Sequence, residues 1–317
     1  MMDTHEIILS IIIPAYNEAL CVESLYHDIV NNVEPLGCSF EIICIDDGSH
    51  DQTFDIVTRI AQSDTRVKGL RFSRNFGKES AILAGLQACL GECAVVMDAD
   101  GQHPPELIGK MYELWRTGAY DIISGKSTQK NINGAIQYIC TRLFYFIAGR
   151  LTGVDLKNDS DFKLLDRKVI NEILRLKERT RFFRGLAQWV GFRQYDMPFT
   201  IGPRKAGGTK WSFKELIGLA VDAITTFTAK PLLWTAYLGI FGIIIATIIV
   251  IEAFLEKALG LAVEGWPTLI IVIIFFGSTI LLALGIIGIY LVKIYDELKG
   301  RQHYIISRKV GDVKSDA

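Results

Sequence analysis

The sequence lacks the short motifs that mark the most common nucleotide and hydrolase sites of α/β proteins. No Gly-x-Gly-x-x-Gly follows the first apolar run, which argues against a dinucleotide site of the usual kind. Residues 124–127 (SGKS) resemble the end of a P-loop, but Tyr120 stands where that motif requires glycine. No Gly-x-Ser-x-Gly is present, and the five histidines are scattered, so a serine nucleophile elbow and a zinc hydrolase both lose support.

The sequence also has little net charge and no cysteine pattern. The formal net charge of −1 gives no reason to expect a nucleic acid partner. The six cysteines form no metal-ligand spacing, and a cytoplasmic domain would keep them reduced, so we expect buried thiols.

Long apolar runs, by contrast, fill the last third of the chain. Residues 232–253 carry one charge, Glu252, and residues 269–292 carry none. A helix of 22 residues is about 33 Å long, enough to cross a hydrocarbon core of about 30 Å. Two buried helices of a soluble core are the alternative, but such helices seldom stay apolar on every side for this length. The sequence therefore predicts two transmembrane helices.

The charges that flank these runs predict the topology. Acidic residues occur between the runs, whereas lysine and arginine dominate after the second, so both large ends should be cytoplasmic. We expect a multi-pass protein of the inner (plasma) membrane. The predicted domains are a catalytic domain (1–203), a basic segment with a juxtamembrane amphipathic helix (204–230), two transmembrane helices with a short loop (231–293) and a cytoplasmic tail (294–317).

In the first two hundred residues, short apolar runs alternate with amphipathic segments. This alternation predicts βαβ units around a mainly parallel sheet, an α/β fold whose ligands bind beyond the carboxyl ends of the strands. The predicted strands are 7–13, 40–45, 67–72, 93–98 and 120–125, and the predicted helices are 19–33, 51–62, 77–90 and 105–117.

Two carboxylates, Asp98 and Asp100, end the fourth predicted strand. At this spacing both side chains point the same way if the extension continues, and they repel unless a cation or a proton lies between them. Hard oxygen ligands suit Mg²⁺ or Mn²⁺. The alternatives are a glycosidase acid/base pair, which needs acids on opposite sides of a bond, and a helix cap beside a solvated acid. The spacing alone does not decide between them.

Polar motifs stand at the ends of the first four predicted strands, in the order IPAYNE, IDDGSHD, SRNFGKE and MDADGQHPPE, and a fifth motif, SDFKLLDR, follows further along the chain. Together they resemble the family-2 inverting glycosyltransferases of GT-A fold, and more narrowly the polyprenyl-phosphate glycosyltransferases, which include dolichol-phosphate mannose synthases and bactoprenol glucosyltransferases. The motifs cover residues 7 to about 215, and the paired C-terminal apolar runs match the bactoprenol branch.

The resemblance implies a role for each motif residue. Pro14, Tyr16 and Glu18 would frame the nucleobase and ribose, and Asp46 or Asp47 would read a base or ribose edge. An Asx-type turn with Gly48 and Ser49 is the alternative for these two acids. Asp98 would approach the ribose and the metal, and Asp100 would hold the ion against the diphosphate. Arg74, Asn75 and Lys78 would contact phosphate or sugar, with a surface helix start as the alternative.

The acceptor side involves Asp161 and three basic residues. Asp161 sits where the family has an acid near the acceptor, although Ser160 and Lys163 replace the usual Gly and Arg. Since a lipid phosphate is mostly ionised near neutral pH, we expect Asp161 to position substrate and to act as a base only weakly. Arg204, Lys210 and Arg142 are the candidates for the acceptor phosphate. For Arg204 and Lys210 the alternative is general attraction to anionic headgroups. Arg142 stands in a second apolar stretch, 136–151, for which an interfacial position and a plain core helix are the alternatives.

The expected activity is transfer of one hexose, glucose from UDP-glucose being favoured, to a polyprenyl phosphate, undecaprenyl phosphate being favoured, with Mg²⁺ or Mn²⁺. The expected partners are therefore a nucleotide sugar, a polyprenyl phosphate and the lipid bilayer, and the sequence allows a homo-oligomer. Mannose or an amino sugar is the alternative donor sugar. A non-catalytic nucleotide-sugar-binding anchor for a flippase or another partner is the alternative from a different class, and Asp98, Asp100 and Asp161 argue against it.

Overall fold

The computed structural model describes residues 7–128, 159–176, 178, 181–200, 230–258 and 266–313. The chain divides into two compact units. One unit contains residues 1–213 together with 301–317, and the other contains residues 214–300. The first unit therefore takes chain from both sides of the second.

The first unit is built on an eight-stranded sheet in the order β7-β5-β6-β4-β1-β2-β3-β8. Neighbouring strands from β4 through β1 and β2 to β3 are parallel, as are β5 and β7, whereas β6 and β8 run antiparallel to their neighbours. The strands are β1 (Leu9–Ala15), β2 (Phe40–Asp46), β3 (Val67–Phe72), β4 (Cys93–Val96), β5 (Ile122–Ser127), β6 (Asp159–Asp166), β7 (Gln194–Phe199) and β8 (Ile306–Val310).

Helices cover both faces of this sheet. Residues of the central strands alternate between two apolar clusters, so that Ile11 and Ile13 face one cluster and Ile12 faces the other. Helices α1, α2 and α4 pack on the first face, and α3 and α5 pack on the second. The helices of this unit are α1 (Val22–Val33), α2 (Thr53–Ser63), α3 (Lys78–Ala88), α4 (Glu106–Arg116), α5 (Arg167–Arg175) and α6 (Phe183–Trp189), with a 3₁₀ turn at Glu34–Leu36.

Helix α3 lies unusually close to the sheet, and this fixes the position of its first residue, Lys78. A Cβ atom added at Gly85 would lie 2.2 Å from Ile12 Cγ2 on β1, so only glycine permits this approach. The buried residues of α3 are Ala81, Ile82, Leu83, Ala84, Gly85, Leu86 and Ala88.

The predicted α/β class is confirmed. Each of the five predicted strands and four predicted helices is present, with ends displaced by a few residues. The sequence did not predict β6, which runs antiparallel between β4 and β5, nor β7, α5 and α6. Strand β6 is rich in polar residues, so it does not form the apolar run by which the other strands were found.

The C-terminal segment contains a further strand that the sequence did not predict. Within the predicted tail, β8 pairs antiparallel with β3 and forms one edge of the catalytic sheet. Tyr304 stacks on Phe72 with ring centroids 4.8 Å apart, and the Ser73 N–H donates to the Ile305 carbonyl at 2.9 Å. This part of the tail is therefore integrated into the first unit.

The second unit consists, in the described residues, of helices α7 (Lys230–Ala258) and α8 (Trp266–Leu298). Both are long and apolar enough to cross a membrane: the mean hydropathy is 2.2 over Leu232–Ile249 and 2.6 over Val272–Leu298. Their side chains are not covered by protein, since 6% and 0% of these stretches are buried. A soluble core would cover them, so this alternative is not supported. The predicted interfacial helices lie outside the described residues.

Candidate active site

The carboxyl ends of the parallel strands β1 to β4 meet at one edge of the sheet, and the polar motifs lie there. Pro14 is buried within β1, opposite Ile45 of β2, and Tyr16 lies just beyond β1 and is 40% exposed. Glu18 follows two residues later and is partly buried. This edge therefore offers one exposed aromatic ring.

The loop after β1 is tied to the loop after β2 by paired hydrogen bonds. Asn17 has a positive φ of 56°. Its N–H donates to Ser49 Oγ, its side-chain Oδ1 accepts from the His50 N–H, and both distances are 2.9 Å. The Glu18 N–H donates to Thr53 Oγ1 at 2.9 Å. The two loops thus form one rigid rim, and the unusual backbone of Asn17 is held by bonds on both sides.

Asp46 and Asp47 organise the same rim. Asp46 Oδ1 accepts from the Ser49 N–H at 3.0 Å, which is the turn named above as the alternative, and Asp46 Oδ2 lies 3.3 Å from Arg71 Nε. Asp47 accepts from the Phe76 and Gly77 N–H groups at 2.7 and 2.9 Å. Burial raises the pKa of Asp47, although these two bonds oppose the rise. Both acids are thus structural, and contact with a nucleotide stays a prediction.

Gly48 allows the rim to close on the third loop. Its φ is +69°, and a Cβ atom there would lie 2.4 Å from the backbone carbon of Arg74. Arg74 is exposed and lies over the Phe76 ring, with its guanidinium carbon 4.2 Å from the ring centroid. Asn75 is also exposed. Of the three candidates Arg74, Asn75 and Lys78, Lys78 is the one whose side chain contacts carboxylates of other motifs.

Lys78 joins the donor-side carboxylate Asp98 to the acceptor-side carboxylate Asp161. Its Nζ lies 2.5 Å from Asp98 Oδ1 and 2.5 Å from Asp161 Oδ2. Burial lowers the pKa of Lys78, but the two carboxylates outweigh this and the net pKa is raised, so Lys78 stays protonated. The motifs after β3, β4 and within β6 therefore converge on a single ammonium group.

Asp161 is the most strongly held acid of the site. Besides Lys78, it contacts Arg184 of α6, whose Nε and Nη2 lie 2.7 Å from Oδ1 and 2.9 Å from Oδ2, a fork-like contact. Burial alone would raise the pKa of Asp161, but Arg184 and Lys78 hold it well below its usual range. Asp161 is therefore ionised throughout the neutral range.

A second acid of β6, Asp159, binds α6 one helical turn away from Arg184. Asp159, Asp161 and Lys163 alternate on one face of β6, and Lys163 Nζ lies 2.5 Å from Asp159 Oδ1, with both side chains fully buried. Gln188 Nε2 donates to Asp159 Oδ2 at 3.2 Å, one helical turn beyond Arg184. A helical turn of about 5.4 Å nearly matches two strand residues of about 6.6 Å, so both pairs form together.

Asp98 and Asp100 lie on the turn after β4. The Asp98 N–H donates to His103 Nδ1 at 3.0 Å, and Asp100 Oδ1 accepts from the Gln102 N–H at 3.0 Å. His103 stacks on Phe162, the neighbour of Asp161, with centroids 5.0 Å apart. Burial lowers the pKa of His103, so its imidazole is neutral near pH 7.

The donor set at this turn fits a divalent cation of the Mg²⁺ type. Among the described residues, no group of three or more His, Cys, Asp or Glu side chains could hold a metal ion. A site with two carboxylates, such as Asp98 and Asp100, is what Mg²⁺ uses when substrate phosphates and water supply its other ligands. Asp100 is 8% exposed, whereas Asp98 is more open, with 27% of its side chain exposed.

Sequence reasoning missed two residues of the site. Arg184 was missed because it lies 23 residues from Asp161 along the chain, and no motif of the sequence links the two. Glu79 was overlooked as an ordinary first-turn acid. Its Oε2 accepts from the Phe183 N–H at 2.8 Å, and burial and the charge of Asp161 raise its pKa to about 7. The predicted residues Arg142, Arg204 and Lys210 lie outside the described residues.

Comparison with known proteins places this site in a class. The model of glycosyl transferase family 2 matches residues 10–174, which contain β1 to β6 and the motifs described above. A Synechocystis protein named as an uncharacterized glycosyltransferase is 39% identical over 305 residues, covering 94% of both chains. The chain therefore belongs to glycosyl transferase family 2, and it is a glycosyltransferase.

Two further relatives are more specific in name. A prophage bactoprenol glucosyl transferase homolog of Escherichia coli is 33% identical over 303 residues, covering 95% of this chain and 98% of that protein. The bactoprenol glucosyl transferase of Shigella phage SfII is also 33% identical over 303 residues, covering 95% and 97%. The similarity thus includes the two apolar C-terminal helices as well as the catalytic unit.

Proposed function

We propose that the protein transfers a single hexose from a nucleotide sugar to a polyprenyl phosphate at the cytoplasmic membrane face, with Mg²⁺ or Mn²⁺. UDP-glucose and undecaprenyl phosphate are the favoured pair, and this choice is supported by the names of the bactoprenol relatives. Mannose or an amino sugar is the alternative within the same reaction.

The observation that carries the proposal is the convergence of Asp98 and Asp161 on Lys78. Two oxygen atoms that are each 2.5 Å from the same nitrogen lie within about 5 Å of one another. Asp98, the residue expected near the ribose and the metal, and Asp161, the residue expected at the acceptor, are thus close enough to act on one anomeric carbon and its two exchanging oxygens. Transfer to an acceptor requires this proximity.

The proposed reaction breaks the bond between the anomeric carbon and the diphosphate oxygen and forms one to the acceptor phosphate oxygen on the opposite face. A divalent ion held by Asp98 and Asp100 would neutralise the leaving diphosphate. Lys78 places a second positive charge beside the same group. No proton needs to be removed from an ionised phosphate oxygen, so the residues act by position and charge.

Asp161 fits a positioning role better than a general base. A good base has a pKa near the working pH, whereas Arg184 and Lys78 hold the pKa of Asp161 far below it. The ionised carboxylate remains an acceptor for sugar hydroxyl groups. Its own contacts to Arg184 and Lys78 fix where it stands.

Membrane topology supports a lipid acceptor. If α7 and α8 both cross the bilayer, the chain before α7 and the chain after α8 lie on the same side. The first unit requires this, because it contains residues 1–213 as well as residues 301–317. Lysine and arginine are enriched after the second helix, which favours the cytoplasmic side.

Incubation of membranes with radiolabelled nucleotide sugars and polyprenyl phosphate tests the proposal. We expect chloroform-extractable label with one donor of the panel, loss of label with EDTA and recovery with Mg²⁺ or Mn²⁺. Asp100→Asn should abolish labelling, whereas Glu113→Gln, on an exposed position of α4, should not change it. Absence of label with every donor would refute the proposal, and the labelled donor identifies the sugar.

The pH profile tests the role of Asp161. Wild-type turnover should fall only below about pH 6, where the acceptor phosphate takes a proton. Asp161→Asn should lower turnover by a similar factor at pH 7 and pH 9, because position rather than proton transfer is lost. If the variant lost activity at pH 7 but regained it at pH 9, Asp161 would be a general base after all.

A further inference from the structure

A second concavity with a cationic lining lies beside the active-site rim. It has a volume of about 700 Å³ and is formed by the loop after β3 and the segment that precedes β8. Its lining includes Arg74, Asn75, Ser80, Arg301 and His303, and none of its described lining residues is an aspartate or a glutamate. The volume suits a ligand of the size of a phospholipid headgroup.

Hydrogen bonds fix the two walls of this cavity relative to each other. The Ser73 N–H donates to the Ile305 carbonyl at 2.9 Å, and Ser307 Oγ donates to the Arg71 and Phe72 carbonyls at 3.1 Å. Asp47, the carboxylate of the adjoining loop, uses both oxygens for the Phe76 and Gly77 N–H groups. These bonds hold the two walls together within the protein itself, so the cavity is preformed.

One lining residue of this cavity, Arg301, is close in sequence to the end of α8. Arg301 follows Leu298, the last residue of α8, by three residues, which span at most about 10 Å. Basic residues at this distance from a membrane-spanning helix meet the anionic headgroups of the cytoplasmic leaflet. Arginine is well suited to the contact, because its planar fork can bind a phosphate through two hydrogen bonds.

We propose that this cavity binds the headgroup of an anionic phospholipid, with Arg74 and Arg301 contacting the phosphate. The inference depends on membrane insertion of α7 and α8 but not on the identity of donor or acceptor. Because the loop that carries Arg74 continues into Lys78, an occupied cavity would also stiffen the loop that delivers Lys78 to Asp98 and Asp161.

Calorimetric titration of the full-length protein in detergent tests the proposal without measuring turnover. The probes are dihexanoyl phosphatidylglycerol, dihexanoyl phosphatidylcholine and inorganic phosphate. We expect saturable binding of the phosphatidylglycerol and at least tenfold weaker binding of the other two. The double variant Arg74→Gln/Arg301→Gln should lose at least tenfold in affinity for phosphatidylglycerol. Arg308→Gln, an exposed arginine of β8 that does not line the cavity, should bind as the wild type does.

Each remaining outcome overturns the proposal. Equal affinity for inorganic phosphate would make the cavity a site for free phosphate, and equal affinity for phosphatidylcholine would exclude selection by charge. Unchanged binding in the double variant would place the lipid elsewhere. The variant's thermal unfolding should match the wild type, since both arginines are exposed, and the single variant Arg301→Gln repeats the test if it does not.

Discussion

Replacing Lys163 with methionine should produce a large and pH-dependent loss of stability. The side chains of Lys163 and Asp159 are fully buried, and among the described residues Lys163 is the cation that contacts the Asp159 carboxylate, whereas Ser124 and Gln188 donate neutral hydrogen bonds to it. Removing one partner of such a buried pair costs about 3–5 kcal/mol. Methionine keeps the length of the side chain, so little packing is lost.

Protonation of the unpaired Asp159 sets the upper limit of this loss of stability and makes the loss larger at higher pH. A buried carboxyl group escapes its charge by taking a proton, at about 1.36 kcal/mol for each pH unit above an ordinary pKa of about 3.9. The limit is therefore about 4 kcal/mol at pH 7 and about 1.5 kcal/mol at pH 5. With roughly 2–4 °C for each kcal/mol, Tm should fall by about 8–16 °C at pH 7 and about 3–6 °C at pH 5.

Thermal unfolding of the detergent-purified protein, followed by intrinsic fluorescence at pH 5 and pH 7, measures these shifts. Lys110→Met, on the exposed face of α4, controls for loss of a lysine and should change Tm little. The double variant Asp159→Asn/Lys163→Met should regain most of the stability, because no charge remains unpaired. A Tm shift that is the same at both pH values would refute the reasoning.

Three further perturbations have defined outcomes. Gly48→Ala should destabilise the protein more than Gly37→Ala in denaturant unfolding, because both glycines have positive φ but only Gly48 lacks space for a methyl group; equal losses would contradict this. Glu79, with its pKa raised to about 7, is protonated in the folded state and ionised in the unfolded state between about pH 4.5 and 7, so its contribution to stability is lost as pH rises through that window. Glu79→Gln should therefore match the wild type near pH 4.5 and exceed its stability by up to about 3 kcal/mol at pH 8, as measured by Tm; no difference at pH 8 would count against the raised pKa. Ending the chain after Gly300 should cause aggregation in size-exclusion chromatography, because β3 becomes an open edge, whereas ending it after Val313 should not.

Much of the fold could be predicted from apolar pattern alone. The strands β1 to β5 are buried on both faces, so they form short, nearly continuous apolar runs, and the amphipathic helices between them follow the helical period. Strand β6 escaped prediction because a buried strand with Asp159, Asp161 and Lys163 on one face resembles a surface loop. Only the tertiary pairing of these charges makes their burial tolerable.

The candidate site was predicted to a similar extent. Motif order at the strand ends placed Asp98, Asp161 and Lys78 in one region, and the structure brings them into direct contact. Sequence spacing could not show that Arg184 grips Asp161, since the pair is 23 residues apart and depends on the register of α6 along β6. Sequence spacing also could not show that Asp46 and Asp47 accept hydrogen bonds from backbone N–H groups of the loops around them.

Strand β8 imposes an order on the biosynthesis of the protein. Ser307 and Arg71, which meet where β8 joins β3, are 236 positions apart, and both apolar helices are made between them. At about 5–20 residues per second, β3 waits on the order of 10–50 s after its own synthesis before its partner strand exists. The sheet thus reaches its final form only after the two apolar helices have been translated. A ribosome that stalls within these helices leaves a sheet without its last strand, with β3 as an open edge.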